Sequence, residues 1–313
     1  MIPDIHGIHH VTALCGPAAR NLWFYTHVLG LRLVKKTVNF DDPHSYHFYF
    51  GDRTGRPGTL ITFFPHPGFR PGVPGAREVA VTHFAVPAGA AGYWSDRLNR
   101  AGLFLTRESA AGRERLAFRD PDGTRLTVGE SDVAAQGFEA PESSVPPERA
   151  ITALAGVTTV VNELAPTAAF LTGTLGFQNV GAEGNRAWFE PGAGASGQRI
   201  EVVEDPAAPR PVLGVGSVHH VAWRVADDAA RERVRSAVDG KVAGLTPTRD
   251  RQYFRSIYFR EPGGVIFEVA TDVPGFLIDE DEPLLGTALK LPPQFESRRT
   301  EIEAALPPLE VRP

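Results

Sequence analysis

Residues 8–30 read IHHVTALCGPAARNLWFYTHVLG, and the way this stretch divides decides the fold. Ile8 to Leu14 is short and rich in apolar side chains, as a strand would be. A helix-length run follows from Ala18 to Leu29, and Gly30 stands where a left-handed cap closes a helix. The same division recurs downstream. Val81 to Val86 (VTHFAV) precedes Ala90 to Ala101 and Gly102, Val157 to Val161 (VTTVV) precedes Pro166 to Leu175 and Gly176, and Val218 to Val225 (VHHVAWRV) precedes Asp227 to Asp239 and Gly240. Each unit then ends in further strands, the last behind a glycine-bearing turn: Gly58 before TLITFF, Asp122-Gly123 before TRLTV, Gly197 before QRIEVV, Gly263-Gly264 before VIFEVA. The pattern of strand, helix and about three strands, repeated at a spacing of roughly 60 to 75 residues, predicts an α+β protein of four βαβββ modules.

The rest of the chain is arranged around these units. Residues 1–130 carry modules one and two, the polar, proline-bearing segment 131–150 reads as a linker, and residues 151–273 carry modules three and four. Residues 274–313, with DEDEP and LPPQF, match nothing in the modules and are expected to wrap the body as a tail. Of the 313 residues 42% are hydrophobic and 22% charged, the balance of a globular protein. Lys and Arg number 32 against 37 Asp and Glu, a net charge of −5 without a basic run, which argues against a nucleic-acid partner. No apolar stretch approaches the roughly 18 residues that span a bilayer. The N-terminus has neither the basic nor the apolar region of a secretory signal, so a cytoplasmic protein with no membrane association is expected. Cys15 is the single cysteine and has no disulfide partner within the chain.

Two opening strands carry a histidine doublet, His9-His10 and His219-His220. Side chains alternate faces along a strand, so one member of each doublet faces a shared cavity. Aligning the opening strands sets His10, His83, Thr159 and His220 level, and aligning the closing strands does the same for Thr62, Thr127, Glu201 and Glu268. Which modules share a site decides the donor set. Modules one and two together would offer His10 and His83 without a carboxylate, and modules three and four would offer His220, Glu268 and Glu201. The crossed pairing of one with four collects His10, His220 and Glu268 beside the small Thr62, the two-histidine, one-carboxylate set of non-haem Fe(II) oxygenases. Modules two and three would then keep only His83 and Glu201 beside Thr127 and Thr159, a degenerate site without metal.

The chain resembles the vicinal oxygen chelate superfamily, built from βαβββ modules in two domains, and within it the ring-cleaving dioxygenases that open hydroquinones. The motifs carrying the resemblance are IHGIHHVTAL, FYTHVLGLRLVKKTVNFDDPHSYHFYFGDRTGRPGTLITFFPHP, GVGSVHHVAWRV, RDRQYFRSIYFREPGGVIFEVATDVPGF and DEDEPLLGTALKLPPQFE. The resemblance implies metal ligands at His10, His220 and Glu268, with Fe(II), or Mn(II), as the ion. Around them it implies Tyr258, Arg251, His219, His9 and Thr12. Thr12 shares a strand face with His10, whereas His9 and His219 lie on the opposite face and need local twist to reach the site.

The implied reaction joins a small aromatic substrate to O2, and a homo-oligomer is compatible with the sequence. Dioxygen reacts sluggishly with closed-shell phenols, so a metal must mediate the electron flow. Coordination would acidify the substrate hydroxyl, His219 or Tyr258 would take or relay the proton, and Arg251 would stabilise the phenolate. The resemblance further implies a role in quinone detoxification or aromatic degradation. Two other readings share the fold: an extradiol catechol dioxygenase or glyoxalase-like lyase, and a non-catalytic small-molecule binder. Glyoxalases need a second carboxylate, where this chain has Thr62, and binders lack the triad. Surface or structural roles are expected for His27, His44, His47 and His66, helix-on-sheet packing is expected for Trp23, Trp94, Trp188 and Trp223, and Lys35-Lys36 reads as a solvated strand end.

Overall fold

The computed structural model describes residues 4–110, 112–192 and 197–309. Module one comprises β1 (Ile8–Cys15), α1 (Ala18–Trp23), β2 (Arg32–Asn39), β3 (Asp42–Gly51) and β4 (Leu60–Pro65). Module two comprises β5 (Glu78–Val86), α2 (Ala91–Arg100), β6 (Thr106–Ala110), β7 (Arg113–Arg119) and β8 (Arg125–Glu130). Module three comprises β9 (Ala153–Val161), α3 (Leu164–Gly173), β10 (Gln178–Glu183), β11 (Arg186–Glu190) and β12 (Arg199–Glu204). Module four comprises β13 (Val218–Val225), α4 (Asp228–Val238), β14 (Arg249–Asp250), β15 (Phe254–Arg260) and β16 (Ile266–Pro274). The helix α1 continues as a wider turn over Phe24–Val28. It ends at Gly30, whose φ of +70° disfavours any other residue and where a Cβ would lie 2.4 Å from Val145 Cγ2. Asp227 starts α4 by accepting the Ala230 N–H at 2.8 Å.

These strands form two eight-stranded sheets, ordered β14-β15-β16-β13-β1-β4-β3-β2 and β10-β11-β12-β9-β5-β8-β7-β6. Module one therefore shares a sheet with module four and module two with module three, and neither sheet is confined to one side of the 131–150 segment. Antiparallel pairs, β1 with β13 and β5 with β9, lie at the two centres. One face of each sheet packs under helices: Trp94 and Leu98 of α2, Phe170 and Leu171 of α3, and Val234 and Val238 of α4 join the strand Phe and Val side chains in one buried cluster. Fully burying such a side chain contributes about 1.5–3 kcal/mol. The opposite, inner face of each sheet carries the polar residues. In β7, for example, Leu116 and Phe118 are buried in the core while Arg113, Arg115 and Arg119 alternate with them.

The pairing across the centres corrects the register expected from sequence. His10 pairs with Ala222 and Thr12 with His220, whereas in the other sheet Val81 pairs with Thr158 and His83 with Gly156. Val81 and Gly156 thus occupy the places that His10 and His220 hold, His83 takes the place of Thr12, and Thr158 rather than Thr159 shares its face. Sliding a strand by two residues preserves its alternation, so for His83 the sequence pattern fixes the face but not the register, whereas Thr159 is three residues from Gly156 and lies on the other face, beside Val202. Breaks in register at Val79/Val81 and His83/Phe84 upset the count further.

The segment after β16 runs through short turns at Phe276–Ile278, Glu282–Leu284 and Pro293–Arg298 into α5 (Arg299–Ala305). Phe276 and Leu285 cluster with Val34, Tyr49, Tyr253 and Phe254 of the first sheet and the turn before β15. Lys35 is not solvated: it is fully buried, with Nζ 2.6 Å from Asp279 Oδ1 and ion-paired to Glu280. Its partners lie 244 and 245 residues away, beyond the reach of any local pattern. Trp23 also departs from expectation, being 39% exposed and stacked on His27 rather than buried between helix and sheet. No helix among the described residues is long and apolar enough to cross a membrane.

Candidate metal centre

Three central strands of the first sheet bring His10 (β1), His220 (β13) and Glu268 (β16) together. Glu268 Oε2 is 3.1 Å from His10 Nε2 and 2.8 Å from His220 Nε2, and the two Nε2 atoms are 3.3 Å apart. All three residues are buried. Ligands about 2.1 Å from an ion are roughly 3.0 Å apart at right angles and roughly 3.4 Å apart in a tetrahedron. Two of the separations match the right-angled arrangement and the third lies between the two, so the donor set fits an ion held on one face with positions left open. Neither oxygen of Glu268 receives a well-directed hydrogen bond among the described residues, despite full burial. An acceptor buried without a donor is costly, and a cation at the convergence of the three atoms would remove that cost. Burial pushes the Glu268 carboxyl upward, but His10 and His220 outweigh it and hold the group well below the usual range.

The doublet partners do reach the site, because the β1–β13 pairing breaks register twice, leaving His9 over between Ile8 and His10 and His219 over between Val218 and His220. His9 Nδ1 lies 2.9 Å from His10 Nδ1, and His219 Nδ1 lies 2.7 Å from His220 Nδ1. If the ligand histidines turn bare Nε2 atoms to an ion, their protons sit on Nδ1 and are donated to the neighbouring Nδ1 atoms. The neighbours then carry their own protons on Nε2, so each doublet fixes a tautomer. Burial pushes His219 down to about 3, with His220 adding to the effect. Burial and His10 likewise push His9 well below its ordinary value. Both rings are therefore neutral at pH 7, which suits holding the ligand rings better than accepting a substrate proton.

Tyr258 on β15 pairs in register with Glu268, and its ring lies edge-on to His220 at 5.5 Å. Arg251 donates from Nε to the Tyr258 hydroxyl at 3.3 Å and from Nη2 to Asp41 at 3.0 Å. Burial and then Glu268 raise the Tyr258 phenol, against the pull of Arg251, so it stays protonated as a donor. On the other flank Thr12 Oγ1 is 2.8 Å from Thr62 Oγ1, which is 2.9 Å from His47 Nε2. The fold thus gathers all eight residues singled out from sequence, and it adds others. His47, expected to be structural or at the surface, is buried with its ring between Tyr49 and Phe64, and Phe254 lies 5.2 Å from the His10 ring. Period two in HSYHFYF puts His47 and Tyr49 on one face, but only the register of Tyr49 opposite Thr62 turns that face to the site.

Comparison with known proteins bears on this geometry. A family model described as Glyoxalase/Bleomycin resistance protein/Dioxygenase superfamily matches residues 7–128 and 153–269. The chain is 43% identical over 311 residues to the "Putative ring-cleaving dioxygenase MhqO" of Bacillus subtilis (strain 168), covering 98% of this chain and 97% of that protein. It is 33% identical over 309 residues to the "Chlorohydroquinone/hydroquinone 1,2-dioxygenase" of Sphingobium indicum, covering 95% of each. A Bacillus subtilis crystal structure superposes with a TM-score of 0.93 at 43% identity, covering 99% of both chains. Glyoxalase I from Zea mays superposes with a TM-score of 0.59 at 16% identity, covering 85% of this chain and 92% of that one, a likeness of fold alone.

Proposed function

The chain belongs to the Glyoxalase/Bleomycin resistance protein/Dioxygenase superfamily, and from that premise we propose that it is an Fe(II)-dependent ring-cleaving dioxygenase that opens hydroquinones. His10, His220 and Glu268 hold the ion in this reading. The observation that carries it is the convergence of their three donor atoms at 2.8 to 3.3 Å, with the Arg251–Tyr258 pair at its side. The names of the relatives support the same reaction class. Both atoms of O2 enter the ring-opened semialdehyde acid, so the reaction balances without a reductant.

When bound, the ion would supply a Lewis acid for the substrate hydroxyl and a path for electron density between phenolate and O2. The protein residues do the rest. Arg251, charged at every working pH, faces the phenolate oxygen and counters the charge that develops there. The Tyr258 hydroxyl donates a hydrogen bond to the same region. His9 and His219 keep the ligand rings in one tautomer, and the Thr12–Thr62–His47 chain lines the opposite flank with groups that donate or accept as needed. Thr62 also argues against a glyoxalase, which needs a carboxylate at that place.

The test is oxygen uptake by protein reconstituted anaerobically with Fe(II), offered hydroquinone, methylhydroquinone and catechol in parallel, with His220→Ala as control. Uptake with the hydroquinones and a new ring-opened chromophore, both lost in the variant, is the expected result. Uptake with catechol alone would move the assignment to an extradiol enzyme. No uptake with any phenol by protein that has retained iron would refute the dioxygenase reading.

A further inference from the structure

The second sheet has an inner face of its own, related to the metal centre by the repeat, and its chemistry is different. Val81 and Gly156 replace the two ligand histidines, and a Cβ on Gly156 would lie 2.2 Å from the Arg199 carbonyl oxygen. No histidine fits there. By the same register Glu201 on β12 stands where Glu268 stands, Trp188 where Tyr258 stands, and Arg115 on the flank that His47 occupies in the first sheet. Val81, Glu201, Trp188 and Arg115 line an open cavity of about 640 Å³, within the size range of small-molecule sites.

Its acceptors are already committed. Glu201 takes the Arg186 guanidinium on Oε1 at 2.8 Å and the Thr158 hydroxyl on Oε2 at 2.8 Å. Because Thr158 donates to Glu201, it accepts from His83 Nε2 at 2.8 Å, which leaves His83 Nδ1 to accept from Thr127 at 2.8 Å. Both ring nitrogens are then occupied in plane, and Arg115 Nη1 sits 3.3 to 3.4 Å from them and 3.8 Å from Glu201 Oε2. Burial, then Arg115 and Arg125, push His83 well below its ordinary value, so it is neutral at pH 7. The floor therefore sets one carboxylate against two guanidinium groups. The Trp188 indole N–H, on a side chain 4% exposed, has no acceptor among the described residues. Glu108, Glu183 and Arg125 also line the cavity, and solvent and salt screen the charges on its exposed strands, Arg186 included, more than that of the part-buried Arg115. Val81, Val160 and Val203 complete an apolar wall beside the indole.

We propose that this cavity is a second ligand site, selective for a small aromatic carboxylate, with Arg115 and the Trp188 N–H as donors to the carboxylate and the valine wall against the ring. A floor with donors to spare, more guanidinium than carboxylate, and the acceptors of Glu201 and His83 already occupied takes an anionic acceptor, and charge-assisted pairing with guanidinium gives it orientation. The inference is independent of the reaction assigned to the metal centre.

The probe is benzoate, titrated calorimetrically into the full-length chain, with benzamide as its neutral isostere. Benzoate is expected to bind about tenfold or more tightly than benzamide, and Arg115→Gln to remove a similar factor. Trp188→Phe keeps the wall, removes the N–H, and is expected to weaken benzoate while leaving the protein folded. His220→Ala, in the other sheet, is expected to bind benzoate as the wild type does. Absence of benzoate binding, equal affinity for benzamide, wild-type affinity in both Arg115→Gln and Trp188→Phe, or loss of binding in His220→Ala would each overturn the proposal.

Discussion

Lys35→Met tests how the C-terminal segment is held over the first sheet. The Lys35 ammonium is fully buried, bonded to Asp279 Oδ1 at 2.6 Å and to Glu280, and lies 5.0 Å above the Tyr253 ring. Methionine keeps most of the apolar stem but removes the charge, leaving two carboxylates facing each other. Breaking a buried pair from one side costs about 3–5 kcal/mol, against about 0–1 kcal/mol for an exposed pair. Asp279 keeps two donors, Gln252 Nε2 at 2.8 Å and the Tyr253 hydroxyl at 3.0 Å, and its side chain is 20% exposed. The lower figure therefore applies, about 3 kcal/mol. If the loss falls on the segment 276–291 as a local opening, its amides should exchange hydrogen roughly 100-fold faster than in the wild type. Gln252 and Tyr253 follow Arg251 directly, so turnover should fall as well while iron content is kept. Exchange within about threefold of wild type and an unchanged melting temperature would refute the buried-clamp reasoning.

Three further outcomes are expected. Asp120 is pushed up to about 6 by burial and by Asp122, against the bonds it accepts from Thr124 and Tyr25. Its folded value lies above the unfolded one, so the folded state binds more protons between pH 4 and 6, and this carboxyl costs about 3 kcal/mol of stability as pH rises through that window. Asp120→Asn keeps Oδ1 as acceptor for the Asp122 and Thr124 N–H groups and reverses the Tyr25 bond, Nδ2 donating to the hydroxyl, and denaturant melts from pH 4 to 7 should find its advantage over wild type growing with pH; parallel curves would contradict this. Glu268→Gln should lower iron content after anaerobic reconstitution by about tenfold or more, because a neutral amide is a poor ligand; stoichiometric iron by elemental analysis would remove Glu268 from the donor set. Thr62→Glu sets a second carboxylate opposite Glu268, which should tighten divalent-metal binding while cutting oxygen uptake about tenfold or more by filling an open position. Uptake at the wild-type rate would mean that Thr62 does not face the ion.

How far the site was legible depended on the kind of information each part needed. Glycine caps, β-branched runs and repeat spacing are local, and they yielded the four modules. The triad His10, His220 and Glu268 was legible because three donors at matched places in two modules leave few ways to satisfy a metal. Register across the sheet centres is not local. His83 was set level with His10 because a two-residue slide leaves its alternation intact, and only the paired strands put Val81 at that level. Lys35 departs from the sequence expectation for a related reason: one lysine beside another at a strand end looks solvated until a distant segment returns with Asp279 and Glu280.

The divergence of the two inner faces follows from a few residues. Both sheets keep a buried glutamate on the closing strand, Glu268 in one and Glu201 in the other. Beside Glu268, two histidines bring Nε2 lone pairs close to its Oε2, so the three acceptor atoms can converge on a cation. Opposite Glu201, Gly156 leaves no room for an imidazole, and Arg186 and Thr158 fill the carboxylate's oxygens instead. A glutamate already paired with guanidinium groups gains little from a metal ion, because the attraction it would offer is largely spent and nearby positive charge repels the cation. Restoring histidine at Val81 alone would therefore not create a second metal centre. Gly156 would still exclude the second ring, and Arg115 and Arg186 would still compete for Glu201.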